Sequence, residues 1–574
     1  MLRLYTLPVP CSLLPMNNVN CQNPQLIDWW RNAIIYQVYP RSFYDSNGDG
    51  IGDIPGIIAH LDYITALGVD AIWLCPLFES PMDDFGYDVT DMYTIDPDFG
   101  TLEDFDQLLA DAHNLGLKVI IDQVWNHTSD QHPWFLESRQ SRDNPKADWY
   151  VWADPQADGS PPNNWLSVFL GKSAWVWAPQ REQFYFYDFL EFQPKLNLHN
   201  PQVVDAIFKC ATFWLERGVD GFRLDAVNFL IHDPKLQDNP PRPEDASPPD
   251  GILSANPLAK QLFHNQICDA QNYQLLQQIR QHVDCYEAIT LGEVTLSEDA
   301  IAISSDYVTG SERLHLVYNS ALFFQNPFSA TQMRQTLERI EHHFSSGGNC
   351  WIAGNHDYRR LKSRWTGKDA QGNPYPEEFY HAIAAMLLSL PGAFCLYQGD
   401  ELGLTDAEIP EDIPAQQMQD SFGQALYPDI PGRDASRTPM PWQADAANAG
   451  FTEAKQPWLP IPEEHIPYAV DRQHKDSNSL LNTWRRLLHW RKQQPALIQG
   501  ETKILQTEEP ILAFIRDGEQ QRLLCLFNWS DVPTHYDLSD YPDIKAVADS
   551  GFTADRQGDT LKLPAYGVFF GEII

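Results

Sequence analysis

The chain has 574 residues, 43% of them hydrophobic, and carries a formal net charge of −38 at pH 7. A chain this long can bury more than one core, and its negative charge argues against nucleic acid or an anionic membrane as a partner, because both would be repelled over the whole surface. Nine cysteines are an odd number without paired zinc-type spacing, and Cys75, Cys210, Cys350 and Cys395 fall in apolar runs, so they read as buried free thiols in a reducing compartment.

Residues 1–28 read as an N-terminal extension without structure, a poor secretory signal because Pro8, Pro10 and Pro15 break its apolar stretch. Nothing later approaches a membrane span, so the expected location is cytoplasmic. A first strand over 33–39 opens onto a loop that carries Asp45, Asn47, Asp49, Ile51 and Asp53 between glycines. Carboxylates and an amide at alternate positions suit a hard cation bound by oxygens, with the Ile51 carbonyl as a further ligand; a solvated turn fits the same residues, and the glutamate at the twelfth position of an EF-hand is missing. A helix over 54–67 leads to a strand over 70–74, whose loop holds Asp83-Asp84-Phe85-Gly86-Tyr87-Asp88. A second helix, over 102–114, leads to a strand over 117–123 and then to Asn126 and His127. From 128 to 200 the rhythm of helix and strand fails, and a stretch this long needs a small fold of its own.

An amphipathic helix over 201–217 ends at Gly218, before a buried strand over 219–224. Side chains two apart share a strand face, so Arg223 and Asp225 point the same way at its carboxyl end. The guanidinium favours an ionised Asp225, which is what a nucleophile needs; a structural ion pair capping the strand fits the hexapeptide about as well. Strands over 288–293, 315–319, 350–354 and 393–397 bring the strand-like runs to eight, and two of them lead to Glu293 and to Asn355-His356-Asp357. An extended loop covers 232–257, and a long insertion ends at 432–442. After a helix over 479–494, short runs over 511–515, 522–528, 560–563 and 567–570 suggest an antiparallel β-sandwich. The expected organisation is an extension (1–28), a barrel in two parts (29–127 and 201–496) around an inserted subdomain (128–200), and a C-terminal sandwich (497–574).

The strings DQVWNHT (122–128), GFRLDAVN (221–228), LGEV (291–294) and AGNHD (353–357) resemble, in order and spacing, the signature segments of the α-amylase family of glycoside hydrolases. YQVYPRSF (36–43), DSNGDGIGD (45–53), GYDVTDMY (86–93) and GRDASRTPMPW (432–442) resemble its α-glucosidase and oligo-1,6-glucosidase group. The resemblance runs from Trp29 to the end and implies an α/β fold, a (β/α)8 TIM barrel. It implies a retaining mechanism with Asp225 as nucleophile, Glu293 as acid/base and Asp357 as transition-state stabiliser. Tyr87, Asp88, His127, Phe189, Arg223, Ala226, His356 and Arg433 would bind sugar, with an Asp88–Arg433 pair closing the pocket beyond one glucose. The loop at 45–53 would hold a structural Ca²⁺ or Mg²⁺, and no organic cofactor is needed. Alanine at 226 resembles the group members that favour α-1,4 over α-1,6 bonds, although it could merely pack against the barrel. Lys195 departs from the group, which has aspartate there, and that puts the subgroup and substrate in doubt.

The resulting expectation is an exo-acting α-1,4-glucosidase, monomer or homodimer, on small α-glucosides, with transglucosylation as a companion activity. Rivals are an oligo-1,6-glucosidase, a glucosyltransferase or maltose/trehalose-converting enzyme and, from another class, an inactive sugar-binding homologue. The three matched carboxylates count against the last.

Overall fold

The computed structural model describes residues 28–574 except 250–251, 253–255, 268, 295, 324–327, 345–346, 369–371, 411–413 and 427–431. The expected extension therefore lies, but for Asp28, outside the described residues. Eight parallel strands close into a barrel in chain order: Ile34–Val38, Ala71–Leu74, Lys118–Gln123, Gly221–Leu224, Ile289–Val294, Leu316–Asn319, Asn349–Ile352 and Ala393–Tyr397. Nearly every residue in them is buried. Strands covered on both faces need this, and it explains why they read as apolar runs rather than as alternations.

The two faces feed two cores. Ile35, Trp73, Ile120, Leu291, Tyr318 and Cys395 pack inside the barrel. Ile34, Tyr36, Ile72, Phe222 and Leu224 pack outward with residues of the helical layer such as Leu108, Trp214, Leu276 and Leu387. Gly221 permits a close approach of the neighbouring strand, since a Cβ there would meet the Ile289 carbonyl at 2.8 Å. The helix Leu102–Asn114 starts on a capping box in which Thr101 and Asp104 satisfy each other's backbone N–H groups. The helix expected over 54–67 instead breaks at His60 into Ile54–Ala59 and Leu61–Leu67. The His60 ring turns back onto the Gly56 carbonyl (3.0 Å) and packs 4.0 Å from the Trp442 ring, so tertiary contact overrides helical pattern.

Between the third and fourth strands the insertion builds a three-stranded sheet from Trp152–Ala153, Gln183–Phe186 and Trp175–Ala178. Beyond the barrel, a five-stranded and a three-stranded antiparallel sheet enclose a core of Ile515, Leu526, Leu538, Leu561 and Phe569. The alternate residues Phe514, Phe527 and Phe570 join the barrel's outer core, which fixes this domain to the barrel. Among the described residues no helix is long and apolar enough to cross a membrane. Cys75, Cys210, Cys350, Cys395 and Cys525 are free and buried, whereas Cys285 is disulfide-bonded, which corrects the expectation of free thiols throughout.

Candidate active site

The fourth strand turns Arg223 into the barrel, where its fully buried guanidinium gathers groups from four strands. Nη1 donates to Asp122 Oδ1 (2.8 Å) and Asp225 Oδ1 (2.8 Å), and Nη2 to Glu293 Oε2 and the Tyr318 hydroxyl (2.7 Å). Its carbon lies 5.0 Å over the Trp73 ring. Sequence order hides this cluster, but barrel register makes it: Asp122 and Leu291 flank Arg223 on the neighbouring strands. One cation faces three carboxyl groups. Burial raises Asp225 and Glu293 to about 7 and Asp122 to about 6, with Arg223 opposing in each case.

Asp357 differs. Burial would raise it too, but His356, Arg433 and Arg437 outweigh burial and hold it below the usual carboxylate range. Its Oδ1 accepts from Arg433 Nη1 (3.1 Å) and Arg437 Nη2 (3.0 Å), and its Oδ2 lies 3.1 Å from His356 Nε2. Burial pushes His356 well below the usual imidazole range, with Asp357 opposing. Gln37 Nε2 sits 2.9 Å from its Nδ1, so Nε2 carries the proton, facing Asp357 and the Tyr87 hydroxyl at 2.7 Å. Carboxyl groups with opposite shifts therefore share one cleft, the arrangement that separates acid from anion.

The cleft is a cavity of about 290 Å³ lined by Tyr87, His127, Phe189, Asp225, Ala226, Glu293, Asp357 and Arg433. Arg223 and His356 lie beneath that wall. A larger surface cleft of about 540 Å³ near Trp134 shares no lining residue with it and holds none of these carboxylates, so size is a poor guide to the chemistry here. Burial drives His127 down to about 3; its Nδ1 lies 2.9 Å from the Asn126 side-chain oxygen and its Nε2 2.9 Å from the Tyr87 carbonyl, two acceptors of which a neutral ring donates to one.

The expected Asp88–Arg433 pair does not form. Arg433 Nη2 reaches Asp84 (2.5 Å) and Asp420 (2.6 Å) instead. Asp88 is fully buried and accepts from Ser80 (2.8 Å) and from the Asp83 and Asp84 N–H groups (3.0 Å each), so it ties the loop that presents Asp84. Sequence reasoning also passed over Asp122, Tyr318 and Asp420, and over Phe169 and Phe422, whose rings meet at 4.8 Å beside Arg433. Asp122 alone had a local signal, as the polar end of an apolar strand.

Ala226 stands next to Asp225 in the left-handed region (φ 42°, ψ 47°), which costs a non-glycine residue about 1 kcal/mol. Its N–H donates to Glu293 Oε2 at 3.2 Å.

The loop at 45–53 is wound by its own side chains. Asp45 accepts from the Asn47, Gly48 and Gly50 N–H groups, and Asp53 caps the next helix through Gly56 N–H (2.6 Å). Asn47 and Asp49 each spend one oxygen on the N–H two residues on. No three His, Cys, Asp or Glu side chains gather into a metal-binding group among the described residues. The loop's donors are all oxygens, so in kind they fit a hard cation.

Comparison with known proteins agrees with this geometry. The family model "Alpha amylase, catalytic domain" matches residues 37–500. The chain is 45% identical to a "Probable alpha-glucosidase" of Rhizobium meliloti (strain 1021), covering 95% of this chain and 97% of that one. It is 35% identical to an "Oligo-1,6-glucosidase" of Heyndrickxia coagulans, covering 90% and 94%. Among solved structures it is similar to an alpha-glucosyl transfer enzyme, XgtA, with a TM-score of 0.89 and 47% identity, covering 95% and 99%.

Proposed function

Because the chain belongs to the α-amylase catalytic-domain family, we propose that it is a retaining, exo-acting α-glucosidase that removes terminal α-1,4-linked glucose from short oligosaccharides. The observation that carries this reading is the single Arg223 guanidinium that holds both Asp225 and Glu293. One guanidinium with a carboxylate on each terminal nitrogen holds the two carboxyl groups side by side, which favours the closer spacing of a retaining pair. Asp225 attacks the anomeric carbon while Glu293 gives its proton to the departing oxygen. Glu293, now ionised, takes a proton from water, whose oxygen displaces Asp225 from the glucosyl ester. Asp357 supports the positive charge that develops on the sugar ring.

Exo-action follows from Asp84, Arg433 and Asp420, whose ion pairs close the glycone end. Glucose is the expected early product from maltotriose, and long maltodextrins released early from amylose would contradict the reading. Glucosyl transfer accompanies hydrolysis: Val168, Phe169, Leu296 and Phe422 make the cleft's walls largely apolar, which disfavours water against a bound acceptor. Product analysis on maltose, isomaltose, sucrose and trehalose, with the anomer followed directly, tests the substrate and the retention together.

Linkage choice is assigned to Ala226. Valine there adds two methyl groups to the cleft wall and also has to occupy a left-handed backbone position that branched residues resist. Wild type is expected to favour maltose over isomaltose in kcat/KM, and Ala226→Val to move that ratio toward isomaltose by roughly 10-fold or more. An unchanged ratio removes Ala226 from this role.

The pH dependence follows from the raised pair. Below about 7 Asp225 gains a proton and loses its nucleophilicity, and above about 7 Glu293 loses the proton it must donate. The two groups titrate as a coupled pair, so kcat/KM should trace a narrow bell about neutral pH. A flat plateau from pH 4.5 to 6 would contradict this.

We also assign a structural Ca²⁺ or Mg²⁺ to Asp45, Asn47, Asp49, Asp53 and the Ile51 carbonyl, with no part in the catalytic steps above. Chelation should lower Tm by roughly 3 °C, reversibly on adding Ca²⁺, with little change in kcat below the transition. An unchanged Tm together with no metal by elemental analysis refutes the assignment. We place the enzyme in the cytoplasm, as a monomer or homodimer.

A further inference from the structure

We propose that Lys195 is a positioning residue: it pins the turn that follows the nucleophile and so sets the hydrogen bond that this turn makes to Glu293. The Lys195 ammonium and the Asp188 carboxylate are both wholly buried and 2.5 Å apart. The same ammonium donates to the Phe229 carbonyl. Asn126 Nδ2 repeats both contacts, at 3.1 Å to Asp188 Oδ2 and 2.7 Å to Phe229 O. The third-strand loop and the inserted subdomain thus converge on one backbone oxygen.

That oxygen belongs to the residue that closes the turn starting at Ala226. Phe229 N–H returns to the Ala226 carbonyl at 2.8 Å, and Ala226 N–H faces Glu293. A strained residue holds its conformation only where its surroundings over-determine it. Here the far end of the turn is gripped by a charge-assisted bond from a lysine that cannot reach water, and such bonds are stronger than neutral ones. A neutral side chain at 195 would leave Asn126 as the remaining side-chain donor to Phe229 O in this network. The turn could then relax at Ala226, withdrawing the N–H from Glu293. A donor on a carboxylate favours its ionised form, so withdrawal raises the Glu293 pKa.

The inference rests on Glu293 being the acid/base. Lys195→Met alone strands the Asp188 charge and endangers folding, so the working variant is Lys195→Met with Asp188→Asn, which removes the charges as a pair. On maltose, whose leaving sugar needs the Glu293 proton, this double variant is expected to lose roughly 10-fold or more in kcat while KM stays within about 3-fold. The alkaline limb of its kcat/KM profile is expected to move up by roughly half a pH unit or more. Asp188→Asn alone removes the counter-ion that favours a charged Lys195, but even the neutral amine still donates to Phe229 O, so this variant should move that limb less. A folded double variant with an unmoved limb overturns the proposal, as does an equal shift in Asp188→Asn. A double variant that fails to fold while Asp188→Asn folds with an unmoved limb makes Lys195 structural and overturns it too. Persistence of the wild-type alkaline limb in Glu293→Gln would instead overturn the assignment of Glu293, a separate failure.

Discussion

Replacing Asp225 by asparagine is expected to leave a folded protein that hydrolyses an aryl α-glucoside about 10⁴-fold more slowly, or not detectably. The fold should survive, because the amide oxygen can still accept from Arg223 Nη1, which reaches Asp225 at 2.8 Å and keeps its Asp122 contact at the same distance. The chemistry should not, because a neutral amide oxygen is too weak a nucleophile to form the glycosyl ester. A second consequence separates this reading from simple disruption. The Asp225 charge is one of the influences that raise Glu293, after burial, so removing it lowers the Glu293 pKa. Residual activity on maltose, whose leaving sugar needs that proton, should therefore lose its alkaline limb at lower pH than wild type. Near wild-type turnover by a folded variant would dismiss Asp225 as nucleophile.

The strand positions were legible because a barrel strand buried on both faces must be a short apolar run, and polar residues at its end stand out. Each expected strand overlaps an observed one, with ends that differ by a residue or two. Side-chain partners across the barrel were not legible in the same way. That Asp122 lies beside Arg223 depends on inter-strand register, which spacing along one strand does not report. DDFGYD offers three aspartates, and choosing Asp84 over Asp88 for the contact with Arg433 required the loop's own hydrogen bonds. Asp420 and Phe422 come from an insertion without regular pattern, and they enter the site only because the Arg433 segment folds back against them. The short sandwich strands Thr534–Asp537 and Asp555–Gln557 escaped notice for a simpler reason: they are largely exposed, so no apolar pattern marks them. Lys195 shows the reverse case. Its departure from the family pattern was visible, but its contact with the turn after the nucleophile was not.

Glu293→Gln should separate the two half-reactions. Glutamine keeps the shape and can still accept from Arg223 and Ala226 N–H, but it has no proton to give and cannot take one from water. On maltose the leaving sugar oxygen needs that proton, so turnover is expected to fall by roughly 10³-fold, within the range for a lost general acid. An aryl glucoside with an acidic phenol departs without help. Its first step should lose far less, and the glucosyl ester on Asp225 should accumulate as a burst of phenol, since the water that hydrolyses it has lost its base. Azide needs no deprotonation and can displace Asp225 directly, so added azide should restore aryl-glucoside turnover without restoring maltose hydrolysis. Two displacements at one carbon return the original configuration, which makes α-glucosyl azide the expected product. The β-anomer would place azide in direct competition with Asp225 and contradict a retaining pair. Maltose turnover within tenfold of wild type would show that the proton comes from elsewhere. Asp122, the other raised carboxyl group on Arg223, would then be the first residue to test.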